Sequence, residues 1–261
     1  MELSNLWNGL TAVGLVASLG AGVVRGFAGF GFSALTVAGI SLFMAPAAVV
    51  PAVLVLEILA STSVWRSAVR ELDMAWLKSL LIGNAILVPV GVYLLAHLDP
   101  IFLRLVVGSA LLLTALGLRW RDGTPLRTSP TVQAGTGVLS GFLNGLAASG
   151  GVAAALLMAA CHVPALAMRG TLTTYVTFAS GYTLLWATVF SQGGDASIDV
   201  FSWETLRWIL VLAPGMLLGM RLGRKAFARS KPEGFRLLVL NLLIGISALS
   251  VARALFDLLA T

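Results

Sequence analysis

Gly22-Val-Val-Arg-Gly-Phe27 recurs 115 residues later as Gly137-Val-Leu-Ser-Gly-Phe142. Each copy is followed by a glycine-rich break, a short apolar run and a proline, which is Pro46 in the first half and Pro164 in the second. A duplicated apolar unit that glycine interrupts at matching positions is the sequence pattern that best marks a binding site in membrane carriers. The sequence therefore predicts two related halves whose glycine-rich breaks contribute to one site.

The composition is that of a membrane protein. Of the 261 residues, 58% are apolar and 11% are charged, and the mean hydropathy is +0.96. A soluble domain carries about 25% charged residues, so a soluble globule is excluded. The net charge of +6 comes from basic residues at the ends of apolar segments and does not indicate nucleic-acid binding. The first apolar run lacks the basic segment of a cleaved signal peptide, so we expect it to be retained.

The apolar runs predict an all-α, polytopic membrane protein, since a spanning helix needs about 20 apolar residues. Residues 1–118 form the first repeat, 119–130 a cytoplasmic linker and 131–261 the second repeat. In each repeat a glycine-broken hairpin precedes three transmembrane helices. These helices are predicted at Ala47–Trp65, Met74–Ala96 and Ile101–Leu118, and again at Ala165–Phe190, Leu206–Leu222 and Phe235–Leu255.

Two short apolar runs support the hairpins. From Ser33 to Pro46 is 13 residues and from Ser149 to Pro164 is 15, or about 20–22 Å at about 1.5 Å per residue. Each run is too short for a comfortable crossing and suits the returning arm of a re-entrant hairpin, buried in protein or lining a cavity. Because Leu6–Val24 is long enough to span, ten conventional spans remain the alternative.

The charge distribution orients the chain. With the Arg66–Lys78 connection in the cytoplasm, 13 basic residues lie inside and three outside (Arg104, Arg207 and Arg253), with Arg25 at the hairpin tip. This bias follows the positive-inside rule and places both termini in the periplasm of a multi-pass inner-membrane protein. Each half then has an odd number of spans, as it would with ten spans, so the two halves form inverted repeats.

Glu57 is the only ionisable residue between Arg25 and Arg66, and it falls near the centre of Ala47–Trp65. A carboxylate at mid-bilayer costs at least about 2.5 kcal/mol and indicates a functional site. Burial disfavours its charged form, so protonation near neutral pH is expected. Glu57, with Ser61 nearby, is a candidate for proton or cation coupling. The alternative is a structural carboxylate that holds two helices together.

Arg25 lies at the first break, within Val24-Arg-Gly-Phe-Ala-Gly-Phe-Gly-Phe-Ser33. An arginine keeps its charge, and its planar guanidinium suits carboxylate, sulfonate or phosphate oxygens. At a hairpin tip it would bind an anion. The alternatives are an arginine that reaches water or a headgroup, and one that pairs with Glu57.

Ser33 and Ser149 stand where the two short helices should begin. Serine is a favoured N-cap, and a helix start offers free N–H groups to an anion. The predicted substrate-binding residues at the breaks are Arg25, Gly29, Phe30, Gly31 and Ser33 in the first half, and Asn144, Ser149 and Gly150 in the second. The alternative for the glycines is close helix packing, which we expect for Gly22, Gly26, Gly137 and Gly141.

Hydroxyl groups in the third spans are weaker candidates. In helices they often bond to a carbonyl of the preceding turn and do nothing more. Thr174 and Thr177 are included as substrate ligands, and Asn84 and Tyr175 are similarly ambiguous. His97 and His162 have no second ligand nearby, so neither a metal nor another cofactor is expected.

The repeated order of glycine-rich break, short helix, proline and apolar span with scattered polar residues resembles the TauE/SafE family of sulfite and organosulfonate exporters. The resemblance covers nearly the whole chain and rests on Gly22–Pro51 and Gly137–Gly170. It implies an inner-membrane carrier of small anionic sulfur or carbon compounds. The chain departs from the usual dense glycine run, because Phe27, Phe30 and Phe32 interrupt the first break. These rings would shape a pocket for an organic anion.

The sequence thus predicts a secondary-type transporter that moves sulfite, an organosulfonate or a small carboxylate by alternating access, coupled to H⁺ or Na⁺ or to neither. Its partners would be the anion, the lipid bilayer and a second copy in a homodimer, with no nucleic acid. An anion channel of the same fold is the main alternative. A membrane enzyme is disfavoured, because one cysteine, two distant histidines and one mid-membrane acid supply no nucleophile–base pair.

Overall fold

The computed structural model of the protein describes residues 9–62, 64–119, 126–191 and 200–227, together with part of 241–259. Within these ranges the chain is helical and contains no strand. The ten helices bounded there are α1 (Gly9–Ala28), α2 (Phe32–Ser41), α3 (Pro46–Thr62), α4 (Trp65–Ala68), α5 (Met74–His97), α6 (Pro100–Arg119), α7 (Pro130–Ala147), α8 (Gly150–Ala160), α9 (Ala165–Ser191) and α10 (Trp203–Phe227).

These helices follow the predicted apolar runs closely. The largest difference is at α10, which extends beyond the predicted Leu206–Leu222 at both ends, because polar residues such as Glu204 and Lys225 continue the helix outside its apolar stretch. Residues 120–125 of the predicted linker, 192–199 of the predicted external connection and 228–240 lie outside the described residues. The predicted last span therefore has only its later part described, with helical residues from Asn241 onward.

Three of the described helices are both long and apolar enough to cross a bilayer: Gly9–Ala28, Met74–His97 and Trp203–Ala226. The shorter apolar helices include α2 and α8, of 10 and 11 residues. At about 1.5 Å per residue they are about 15–17 Å long, roughly half of a hydrocarbon core. Nearly every residue of both helices is buried, so α2 and α8 lie inside the protein and not at its surface.

Helices α1 and α10 pack side by side in the same direction through glycine. A Cβ added to Gly22 would lie 2.7 Å from the carbonyl oxygen of Met216, so only glycine permits this approach. The contacts advance together along both helices: Gly14 with Leu212, Gly22 with Met216, and Phe27 with Gly223. The two helices are therefore parallel, and the predicted packing role of Gly22 and Gly26 is confirmed.

Helices α5 and α7 form a second parallel pair of the same kind. A Cβ on Gly141 would lie 2.5 Å from the carbonyl oxygen of Gly83 and 2.7 Å from Cα of Asn84. The contacts again advance together: Ser79 with Gly137, Gly83 with Gly141, and Val88 with Gly145. Gly137 and Gly141 are packing glycines, as predicted. Each pair joins the first helix of one half to a later helix of the other, so the two halves share one core.

The helices end at both glycine-rich breaks. Gly29 and Gly31 separate α1 from α2 with φ of 81° and 93°, and Ala148 separates α7 from α8 with φ of 52°. Glycine adopts the left-handed conformation at no steric cost, whereas Ala148 adopts it as a non-glycine residue. The two breaks meet in the core, since a Cβ on Gly151 would lie 3.8 Å from Cβ of Phe30. This places both sets of predicted site residues in one region of the protein.

Candidate functional site

A buried ion pair joins the first break to α3. Nε of Arg25 lies 2.9 Å from Oε1 of Glu57, and the two side chains are 2% and 0% exposed. Glu57 Oε1 accepts no aligned hydrogen bond from the described residues, so the contact is a close approach of charges without the best hydrogen-bond direction. The pairing of Arg25 with Glu57, an alternative that the sequence left open, is therefore present.

The other carboxylate oxygen of Glu57 reaches the start of α2. The backbone N–H of Ser33 donates to Oε2 over 3.1 Å. The expectation that Ser33 caps this helix is wrong: α2 begins at Phe32 and its N-cap is Gly31, whose left-handed backbone makes the turn. Ser33 lies inside the helix, after Phe32, and its backbone N–H already donates a hydrogen bond to the Glu57 carboxylate.

Arg25 is held by neutral oxygen atoms as well. Its Nη2 donates to the hydroxyl of Ser61 over 2.6 Å, and its Nη1 donates to the carbonyl oxygen of Gly29. The Ser61 hydroxyl in turn donates to the carbonyl oxygen of Glu57, one turn earlier on α3, over 2.8 Å. Ser61 therefore positions Arg25. A guanidinium has five N–H donors, and its Nε, Nη1 and Nη2 face Glu57, Gly29 and Ser61 respectively.

A cavity of about 210 Å³ opens beside Arg25. Two further arginines, Arg169 of α9 and Arg224 of α10, line it, and Glu71 is the one acidic residue among its described lining. The remaining lining residues are Gly26, Gly29, Val64, Ala68, Leu166, Gly170, Thr173 and Met220. The cavity is therefore basic, and it touches the first break directly.

Arg169 is tied to the first break. Its Nη2 donates to the carbonyl oxygen of Gly26 over 3.3 Å. A Cβ on Gly29 would lie 2.7 Å from Cγ of Arg169, and the Thr173 hydroxyl donates to the carbonyl oxygen of Gly29 over 3.2 Å. Gly29 is thus required where α9 presses against the break.

The second break has a neutral hydrogen-bond network. Oγ of Ser140 lies 2.6 Å from the carbonyl oxygen of Gly150 and 2.8 Å from Oη of Tyr175. Tyr175 Oη lies 3.3 Å from Oδ1 of Asn84 on α5. Asn144 donates to the Thr183 hydroxyl over 2.8 Å. These side chains are buried and satisfy one another.

Several predicted ligands do not face the cavity. Ser149 is the N-cap residue of α8, but its hydroxyl donates to the carbonyl oxygen of Leu143 over 3.1 Å. Thr177 donates to the carbonyl oxygen of Thr173, and the buried Thr174 hydroxyl has no partner among the described residues. Of the predicted substrate ligands, only Arg25 and Gly29 line the cavity; Phe30, Gly31, Ser33, Asn144, Ser149, Gly150, Thr174 and Thr177 do not. Their role in binding stays a prediction.

Ser149 lines a much smaller void, of about 10 Å³, together with Ser41 and the buried Ser247. This is room for about one water molecule. It lies between α2 and the second break and is separate in its described lining from the basic cavity.

Sequence reasoning missed Arg169 and Arg224. Both lie near helix ends, where the positive-inside rule already accounts for basic residues. The available signal for Arg169 was its place in the polar first part of α9, two residues before Thr171. Nothing in the sequence places Arg224 in the same cavity as Arg25; that placement depends on the parallel packing of α1 and α10.

A family model described as "Sulfite exporter TauE/SafE" matches residues 14–250. The chain therefore belongs to the TauE/SafE family, and the resemblance found in the sequence is confirmed. No curated protein and no solved structure gives a significant match. Membership in this family, together with the long apolar helices, indicates a membrane transporter of the sulfite-exporter type.

Proposed function

We propose that this TauE/SafE family member carries a small sulfur oxyanion, sulfonate or carboxylate across the membrane and binds it in the cavity beside Arg25. The observation that carries the proposal is the charge of that cavity: three arginines and one carboxylate among its described lining. Its volume of about 210 Å³ leaves room for an anion of a few heavy atoms.

The three arginines converge on the cavity from three helices. Arg25 comes from the end of α1, Arg169 from the first turns of α9 and Arg224 from the last turns of α10. Guanidinium groups bind the oxygens of sulfonates and carboxylates through paired N–H donors and keep their charge when partly buried. The Thr173 hydroxyl lies in the same lining and would supply a neutral contact.

The helix directions support inverted repeats. In the predicted topology the chain reverses from α1 to α2, from α2 to α3 and from α3 to α5, so α1 and α5 would run in opposite directions. Since α7 is parallel to α5, the equivalent first helices α1 and α7 oppose each other. The halves then have the arrangement in which rocking of one repeat against the other alternates access to a central site.

The charge bias indicates that the cavity faces the cytoplasm. Besides the end of α1, its lining comes from the connection between α3 and α5, the start of α9 and the end of α10. The positive-inside rule places these last three segments in the cytoplasm. An anion would enter from the cytoplasm in this conformation. For an anion that crosses without a coupled ion, a membrane potential, negative inside, would favour export by about 2.3 kcal/mol per charge per 100 mV.

Binding to the purified protein tests the site. We expect at least one of sulfite, sulfoacetate, taurine and acetate to raise the thermal unfolding temperature. Arg224→Gln should weaken binding of that compound about three- to tenfold, because an exposed arginine contributes modestly. Arg221→Gln is the matched control, since Arg221 is also exposed on α10 and does not line the cavity. Equal affinity in both variants would remove Arg224 from the site.

Flux measurements distinguish a carrier from a channel. In proteoliposomes, a carrier should take up labelled substrate faster when unlabelled substrate is present inside. The reason is that a binding site loaded with internal substrate returns to the outer face faster than an empty one. Uptake that internal substrate leaves unchanged, together with unitary currents, would instead identify a channel.

Reporter fusions test the orientation. A reporter fused after Thr261 should be periplasmic, and one inserted within 119–130 should be cytoplasmic. Both reporters on the same side would require an even number of spans in the second half and would contradict the inverted repeats.

A further inference from the structure

The Arg25–Glu57 contact has a counterpart in the second half. Arg25 and Ser140 are each the fourth residue of the repeated hexapeptide, and Glu57 and Tyr175 are each the eleventh residue after the matching proline. The structure joins both pairs: Arg25 Nε lies 2.9 Å from Glu57 Oε1, and Ser140 Oγ lies 2.8 Å from Tyr175 Oη. One contact between helices is thus made twice, charged in the first half and neutral in the second.

The neutral version shows that this contact does not need charge to hold the fold. Ser140 and Tyr175 connect α7 to α9 with hydroxyl groups alone, and both are buried. A buried ion pair generally contributes little more to stability than a well-packed neutral replacement, because both charges lose their hydration. Stability therefore does not account for the charges of Arg25 and Glu57.

Glu57 contacts the two groups of the first break that would otherwise be free to bind an anion, the Arg25 guanidinium and the Ser33 backbone N–H. Its carboxylate touches Arg25 on one side and the Ser33 N–H of α2 on the other. Glu57 is fully buried and does not line the cavity, whereas Arg25 does. The guanidinium thus stands between an internal carboxylate and the space assigned to the substrate.

We propose that Glu57 is an internal anion that competes with the substrate for Arg25, and that the substrate binds when Glu57 takes up a proton. This inference rests on the proposed function. An anion at Arg25 beside an ionised Glu57 would place two negative charges next to one guanidinium, away from water. Their repulsion disfavours binding of the anion and ionisation of Glu57 at the same time. A proton on Glu57 removes that repulsion and frees Arg25 for the substrate.

The other charged groups do not replace this exchange. Arg169, Arg224 and Glu71 face the cavity, where two positive charges exceed one negative charge. This excess attracts an anion whether or not Glu57 carries a proton. On the α2 side, the described contact of the Glu57 carboxylate is an uncharged backbone N–H. The Glu57 carboxylate and the substrate would both bind Arg25, and Glu57 leaves it by taking up one proton. One proton therefore accompanies each substrate anion. A singly charged substrate would then cross the membrane as an electroneutral pair with its proton.

The affinity of methanesulfonate as a function of pH tests the proposal, because a sulfonate keeps its charge across the assay range. For the parent protein in detergent, the dissociation constant should rise by up to about tenfold per pH unit as Glu57 ionises, since binding of proton and anion is linked. Glu57→Gln mimics the protonated form and should bind with little pH dependence, at least as tightly as the parent at low pH. Tyr175→Phe, altered at the matching place in the second half, should keep the parent's dependence.

Proton uptake provides a measurement that needs no variant. Calorimetric titration of the parent in two buffers of different ionisation enthalpy should show about one proton taken up per anion at a pH where Glu57 is ionised. Binding without proton uptake, or the same pH dependence in Glu57→Gln as in the parent, would overturn the competition and leave the proposed function standing. If neither methanesulfonate nor any of sulfite, sulfoacetate, taurine and acetate binds, both the competition and the proposed function would be overturned.

Discussion

Arg25→Ala should abolish anion binding and lower the free energy of unfolding by about 3–5 kcal/mol. Removing one partner of a buried ion pair leaves the other charge uncompensated, and Glu57 is fully buried. The variant should therefore show a much lower thermal unfolding temperature in detergent at neutral pH. Part of this loss should be recovered at low pH, where protonation removes the isolated charge.

Two further variants separate stability from binding. Arg25→Lys keeps the charge but loses the planar set of donors, so the protein should fold and bind its anion more weakly. Arg25→Ser combined with Glu57→Tyr reproduces the neutral pair of the second half, so it should be more stable than Arg25→Ala while still failing to bind. Binding within twofold of the parent in Arg25→Lys and Arg25→Ala would remove Arg25 from the site.

Gly141→Ala should prevent α5 and α7 from packing and give little or no folded protein. The added Cβ would lie 2.5 Å from the carbonyl oxygen of Gly83 and 2.7 Å from Cα of Asn84. Backbone atoms cannot move aside as a flexible side chain can, so the helices would have to separate. Yield in size-exclusion chromatography and thermal unfolding of any recovered protein measure the effect.

Gly135→Ala is the matched control on the same helix. A Cβ there meets nothing within 4 Å, and alanine favours a helix over glycine by about 1 kcal/mol. This variant should be as stable as the parent or more so. Equal yields and unfolding temperatures for Gly141→Ala and Gly135→Ala would show that α5 and α7 do not approach as closely as described.

Much of the fold could be predicted from sequence because a bilayer fixes the length of an apolar run. The boundaries of α3, α5, α8 and α9 lie within a few residues of those expected, and prolines and glycines mark the breaks between them. The helix pairing could not be predicted in this way. Repeated glycines show that some helices pack closely, but not that α1 joins α10 and α5 joins α7.

The candidate site was predicted in part. Arg25 and Glu57 were recognisable because charges are costly in apolar segments, and the structure places them in contact. Arg169 and Arg224 were missed because a basic residue at a helix end already has an explanation in membrane topology. Tyr175 could have been recognised as the counterpart of Glu57 by counting from the prolines of the two halves.

Anomalous diffraction from crystals grown with 2-bromoethanesulfonate tests the central claim most directly, because bromine can be located independently of the protein. We expect one bromine peak inside the cavity beside Arg25, with sulfonate oxygens within hydrogen-bond distance of Arg25, Arg169 or Arg224. The peak should disappear in Arg25→Ala/Glu57→Gln crystals grown in the same way. A peak at the second break, or at the protein surface with the cavity holding only water, would contradict it.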